Sequence, residues 1–253
     1  MSEVRSRIEK FKGFLDKNKI FFEVFGWIFV PIALGVMSYV VSCSAIKISR
    51  YQAEVAYRQN LPDIRPNVEL YSLESNIPNQ ELLQIYNDGF RLRNFSVKKI
   101  VILHVRRQKG IQIDQLSIPI NFYPIRVLTN ASTGLLVTLT GHKNHEKWVK
   151  FDRDLLALGR PGGRPEPVIY LASLLRIPAV RYEDYFGNEH NEYFLVRGFS
   201  VNRLPAEQGK EWVQYFEQHR SSFLLDIDSL SVKEIIELFD SAPPALRRAP
   251  LLP

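Results

Sequence analysis

Between Val24 and Ile46 the chain runs for 23 residues without a charged side chain, as VFGWIFVPIALGVMSYVVSCSAI. A helix rising about 1.5 Å per residue would carry this run roughly 34 Å, enough to cross a hydrocarbon core of about 30 Å. Trp27 and Tyr39 lie toward its two ends, where amphipathic rings favour a membrane interface. Gly26, Pro31 and Gly35 would weaken a helix in water, whereas membrane helices tolerate them. The run therefore predicts a transmembrane helix over 24–46. A cleaved signal peptide fits less well, because its apolar core is usually only about 7–15 residues long.

The flanks of the span suggest an orientation. Arg5, Arg7, Lys10, Lys12, Lys17 and Lys19 precede it, and Lys47, Arg50, Arg58 and Arg65 follow over a similar distance. Lysine and arginine bias marks the cytoplasmic side, so the expectation is a cytoplasmic N-terminus with the C-terminal domain outside. Residues 1–23 read as a basic amphipathic segment, with Val4, Ile8, Phe11 and Phe14/Leu15 on one face. The six cations named first are then candidates for contact with an anionic membrane surface. Cys43, the single cysteine, excludes an intrachain disulfide. Val40-Val-Ser-Cys43 is similar to a bacterial lipobox, which makes Cys43 a candidate lipidation site; the alternative is an inert thiol in the bilayer.

Past the span, residues 47–61 should continue as a helical stalk until Leu61-Pro62. Ile48, Tyr51 and Val55 alternate at spacings of three and four, as in a coiled-coil seam, but two heptads are too few to define one. LPDIRP then forces extended backbone. From 66 to 203 the period changes to two. Alternating runs at Asn67–Tyr71, Gln80–Asn87, Phe95–Arg106, Gln115–Tyr123 and Gly134–Thr140 are separated by Asn76-Ile-Pro-Asn, Asn87-Asp-Gly, Gln108-Lys-Gly and Asn130-Ala-Ser. Val180–Asp184, a turn at Phe186-Gly-Asn and a return at Glu192–Phe199 read as a hairpin closing the sheet. This pattern predicts an antiparallel β-sandwich or barrel.

Ile85-Tyr-Asn-Asp-Gly89, followed by Asn94 and Val97, resembles the I-x-N-x-G signature of immunoglobulin-like bacterial domains, whose Asn-x-Gly closes a turn between core strands. Together with one span, a stalk ending in Leu-Pro and the later hairpin Val180-x-Tyr-x-Asp-x-x-Gly187, it resembles uncharacterised bacterial single-pass membrane proteins with an immunoglobulin-like β-sandwich. The resemblance covers about residues 24–200 and implies architecture rather than activity. The chain departs from it in a long middle insertion, Lys143–Pro167.

Helical spacing returns over 206–240. Trp212, Tyr215, Phe216 and His219 share one face. Ser231 with Glu234 forms a capping box before a second face of Val232, Ile235, Ile236 and Phe239. These helices would pack on the sandwich or on a partner, and 241–253 would be a disordered tail. The expected fold is thus mainly β with helical ends.

Candidate chemistry is sparse. His142 and His145 are three apart but lack further zinc ligands, so they read as surface turn histidines. Asp184, Asn188, Glu189 and Glu192 gather oxygens that turn chemistry alone explains. Gly159-Arg-Pro-Gly-Gly-Arg-Pro lacks the Gly-Lys-Ser/Thr of a phosphate loop. Arg106-Arg-Gln-Lys-Gly110 reads as a solvated basic hairpin tip, or as a headgroup contact. No catalytic, metal or cofactor-binding residues are assigned. The net charge of +6 is dispersed, so a nucleic-acid partner is not expected. The leading expectation is a non-enzymatic, membrane-anchored module that presents a β-sandwich for protein binding. It would contact membrane lipid and another protein, and a homo-oligomer through span and stalk stays open. The alternatives are a membrane-acting effector or toxin whose span oligomerises, and an enzyme whose site assembles from distant residues.

Overall fold

In the computed structural model, residues 2–72, 78–158 and 168–250 are described. The chain divides into two units, residues 1–58 and 59–253. In the first, helix α1 covers Ser2–Lys17 and helix α2 begins at Lys19 and runs to Gln59. Asn18 makes the break. Its side-chain amide donates to the Phe14 carbonyl at 2.9 Å and its backbone N–H to the same oxygen at 3.2 Å, closing the last turn of α1. Pro31 lies inside α2. The helix is long and apolar enough to cross a membrane, and its large side chains are uncovered, Trp27 at 82 % exposure and Met37 at 69 %.

The second unit is a mixed α/β arrangement of two sheets flanked by helices. Strands β1 (Ile64–Tyr71), β2 (Gln80–Asn87), β5 (Ile125–Leu128) and β6 (Gly134–Thr140) form a four-stranded sheet in the order β1-β2-β6-β5. Six more strands form the larger sheet: β3 (Arg93–Lys109), β4 (Gln112–Asn121), β7 (Val168–Glu183), β8 (Glu189–Arg197), β9 (Ser200–Leu204) and β10 (Leu225–Asp226). Their order is β10-β4-β3-β7-β8-β9, antiparallel except where β10 joins β4.

Period-two alternation works as expected in β2, where Glu81, Leu83, Ile85 and Asn87 all point inward. It fails in the middle of β3, where Ile100 to Leu103 are buried in succession. Val101 and Leu103 join a core that draws on both sheets, while Ile100 and Ile102 join a second cluster under helix α4 (Ala206–Phe223). Trp212, Tyr215 and Phe216 supply the helical side of that cluster. The helix sits close to the sheet because Gly209 has no side chain; a Cβ there would lie 2.0 Å from Cγ of Tyr193. Helix α5 (Val232–Ser241) is capped by Ser231, whose Oγ accepts from the Glu234 N–H, and it buries Ile235 and Phe239 in the first core.

Two expectations need correction, the closing hairpin and the disordered tail. The hairpin does not close the sheet: the chain turns at Gly198, with φ +56, and returns as β9, and β10 follows. The insertion from Lys143 holds helix α3 (Asn144–Leu158), whose Phe151 and Leu155 enter the core; the Gly159–Pro165 loop lies outside the described residues, as do Asn76 and Ile77 of the first turn marker. The stretch from 241, expected to be disordered, forms a 3₁₀ turn at Pro244–Arg247 that buries Leu246 completely. Burial of that leucine supplies the apolar free energy a loose tail lacks. At the basic tip Arg106, Gln108, Lys109 and Gly110 are exposed, while Arg107 pairs with Asp114 at 2.9 Å and Asp240 at 3.1 Å, with its guanidinium over Phe239.

Asn87 has a specific task. Its Oδ1 accepts from the N–H groups of Asp63 (3.0 Å) and Gly89 (3.1 Å), and its amide donates to the carbonyls of Phe90 (2.7 Å) and Ser132 (2.8 Å). Three chain segments are thereby tied to one buried side chain. Gly89 lies so near the Leu61–Asp63 backbone that a Cβ would come within 2.5 Å of it. We expect Asn87→Ala to lower stability by about 2–4 kcal/mol, since several buried polar groups lose their partner together. Urea unfolding of the full chain measures this, and a loss below about 0.5 kcal/mol would contradict the assignment.

Candidate functional site

The inward position of Glu81 on β2 puts a carboxylate among apolar side chains, and β7 supplies its counter-charge. Arg176 Nη2 lies 2.5 Å from Glu81 Oε2, and the two residues are 5 % and 2 % exposed. Tyr123, fully buried, donates its hydroxyl to Glu81 Oε1. Burial, and then the charge of Glu81, raise the Tyr123 pKa well above its ordinary value, so the phenol remains a donor. Asn144 fastens the start of α3 to the same strand: its Oδ1 accepts from Glu81 N–H at 2.8 Å, and its amide donates to the Glu81 carbonyl at 3.2 Å. Arg176 also stands over the Phe122 ring, 5.5 Å from its centroid.

This pair lines a cleft of about 650 Å³, within the range of small-ligand sites. One wall is the β7 segment from Leu171 to Arg176, and opposite it are Val68 and Leu70 of β1 with His145 and Trp148 of α3. Arg197, Gly198 and Phe199, at the turn from β8 to β9, line it too, as do His104 and Arg106 of β3. His104 Nδ1 lies 2.9 Å from the buried Ser117 hydroxyl, its cross-strand neighbour. Burial depresses the His104 pKa, with help from the charges of Arg106 and Arg197. Burial likewise depresses His145, with Glu81 acting against it and Arg176 for it. Both imidazoles are thus held neutral near pH 7, able to donate and to accept. Two buried polar atoms of the cleft, Arg176 Nε and His145 Nδ1, have no hydrogen-bond partner in the described structure.

His145 is therefore not the surface turn histidine the spacing implied: it sits in the first turn of α3 against the cleft, while His142 is exposed. No group of three or more potential metal ligands occurs among the described residues. The oxygens around the hairpin do not converge on a cation. Asp184 accepts from Phe186 N–H, Asn188 N–H, the Asn188 amide and His190 Nε2, all at 2.9–3.0 Å. Burial alone would raise its pKa, but these bonds from His190, Asn188 and Phe186 prevail and bring it down to about 2. Glu189 pairs with Arg181 at 2.8 Å, and Glu192 with Arg203 at 2.7 Å and the Tyr182 hydroxyl at 2.8 Å.

Elsewhere, Arg7, Lys10, Lys12 and Lys17 are exposed along α1, and Lys19 is exposed at the start of α2, 3.9 Å from Glu23. The side chain of Arg5 lies outside the described residues. Cys43 is half-buried inside α2. Sequence reasoning missed both Glu81 and Arg176. The signal for Glu81 was available, since it shares parity with Leu83 and Ile85; Arg176 stands out only as the one charge in LASLLRIPAV. No family model matches the chain, and no curated protein matches it.

Two outcomes follow from this chemistry. Glu81→Leu strands a buried guanidinium and should cost about 3–5 kcal/mol, whereas Glu81→Leu with Arg176→Met should recover most of the loss, as seen by urea unfolding. For the histidines, the folded pKa values lie below the ordinary 6.5, so the unfolded chain binds protons more readily. Their contribution to stability is complete above pH 6.5 and declines as pH falls through the folded values. Unfolding midpoints between pH 7.5 and 5 should drop, and His104→Gln with His145→Gln should flatten that slope.

Proposed function

We propose that the chain is a membrane-anchored, non-enzymatic interaction module, with α2 spanning a bilayer and the cleft receiving a protein partner. The observation that carries the binding reading is the cleft itself, where apolar walls meet cationic side chains and unsatisfied buried donors. For the anchor, the support is the uncovered apolar surface of α2: leaving one large apolar side chain in water costs about 1.5–3 kcal/mol, and a bilayer would relieve that along the whole run. The excess of Lys and Arg before the span supports a cytoplasmic N-terminus with the sheet unit outside. The basic segment 1–23 then meets the anionic leaflet, with Arg5, Arg7, Lys10, Lys12, Lys17 and Lys19 as the contacting cations. The two sheets make an immunoglobulin-like sandwich in this reading, supported by the single core they share.

One observation favours a second reading, an enzyme. His104 and Ser173 are cross-strand neighbours and both line the cleft, an arrangement that pairs a hydroxyl nucleophile with a neutral imidazole base. A fluorophosphonate probe separates the two: labelling of Ser173 supports hydrolysis, and its absence with intact binding supports the module. For the module, a photocrosslinking residue at Phe199 should trap a protein adduct in native membranes, and one at the exposed Lys233 of α5 should not. A C-terminal reporter active on only one side of the membrane tests the orientation, and a cytoplasmic signal overturns it.

A further inference from the structure

The cleft's longest wall is a strand edge. β7 has 16 residues and pairs with β3 along its whole length, from Glu183 opposite Arg93 to Val168 opposite Lys109. On its other side β8, with 9 residues, pairs only from Glu183 back to Arg176, because the chain turns away at Gly198. Val168–Leu175 therefore has no second strand partner among the described residues. At about 3.3 Å per residue this free edge is roughly 26 Å long. The cleft is lined by Leu171, Ala172, Ser173, Leu174, Leu175 and Arg176 in unbroken succession. Side chains of one strand alternate between faces, so six consecutive lining residues mean that the backbone edge itself faces the space.

We infer that the cleft binds an extended acidic peptide segment, which adds to the free edge of β7 as a further strand. This rests on the binding reading above and deepens it. The unpaired backbone donors and acceptors of Val168–Leu175 supply the main-chain recognition that strand addition requires. Charge selects the side chains. Glu81 is already matched by Arg176 and Tyr123, while neither Arg106 nor Arg197 has an ion-pair partner among the described residues. Arg176, more than nine-tenths buried, keeps an unused Nε–H, and His145 Nδ1 is also unpartnered. A carboxylate entering the cleft can accept from the exposed Arg106 and Arg197, while Leu171, Phe199 and Trp148 take apolar side chains at alternate positions.

The test uses the full chain in nanodiscs of zwitterionic lipid and three fluorescent octapeptides, read by anisotropy. One alternates Val and Glu, one alternates Val and Lys, and the third is the Val/Glu peptide with alternate backbone amides N-methylated. The Val/Glu peptide should bind, with affinity reduced about tenfold by N-methylation and about tenfold by R106Q with R197Q. The Val/Lys peptide should not bind. Equal binding of the N-methylated peptide overturns strand addition, and equal binding of the Val/Lys peptide, or indifference to the double variant, overturns the acidic preference. Displacement of the bound peptide by vesicles of anionic lipid overturns a peptide as the natural occupant. If the Phe199 crosslinker traps a partner while no peptide binds, the strand-addition inference fails and the binding module stands; if neither occurs, both fail.

Discussion

The long antiparallel ladder between β3 and β7 is the constraint from which the sheet unit follows. Its middle is dry on both sides, with Val101 and Leu103 facing one core and Ile100 and Ile102 the other. Backbone groups there have no water to fall back on, so the ladder must be complete. Everything else is added to this pair: the four-stranded sheet over one face, α4 over the other, β4 and β8 on its two flanks. The flanking strands do not match it in length. β8 stops short of the end of β7, and that mismatch, with the β8–β9 turn beside it, opens the cleft.

The Glu81–Arg176 pair joins the two sheets at the place where the apolar core gives way to the cleft. Taking both charges out of water is costly, and a hydrophobic pair of similar volume would be at least as stable. What the pair adds is discrimination. A slip of β2 by one residue would turn Glu81 outward and leave Arg176 buried without its partner, so the wrong register is penalised twice. Tyr123 fixes the carboxylate further, and Asn144 grips the Glu81 backbone, which positions the first turn of α3 and with it His145.

Much of this arrangement was legible before the structure. The alternation of Gln80–Asn87 and the apolar faces of Trp212–Phe216 and Val232–Phe239 follow from local patterns, because each element there has one wetter face, and the turn at Phe186–Asn188 follows from its turn residues. β7 was largely hidden for the opposite reason. LLRIPAV is buried on both sides, and a strand without a wet face carries no alternation to read. Gly198 could mark a turn, but only pairing shows that β8 ends there. The site was less legible still. Glu81 and Arg176 are 95 positions apart, and no local pattern brings two such residues together.

Leu246 is the last side chain of the shared core to be made, and that core is incomplete until it is. About 200 residues separate it from Ile46, the end of the uncharged run, which at roughly 5–20 residues per second is an interval of about 10–40 s of synthesis. Throughout that interval the most apolar helix of the protein is already made while the core of the sheet unit is still incomplete. Newly made α2 must therefore find shelter on its own schedule, so the order of synthesis separates the fate of the helix from the folding of the unit that follows it.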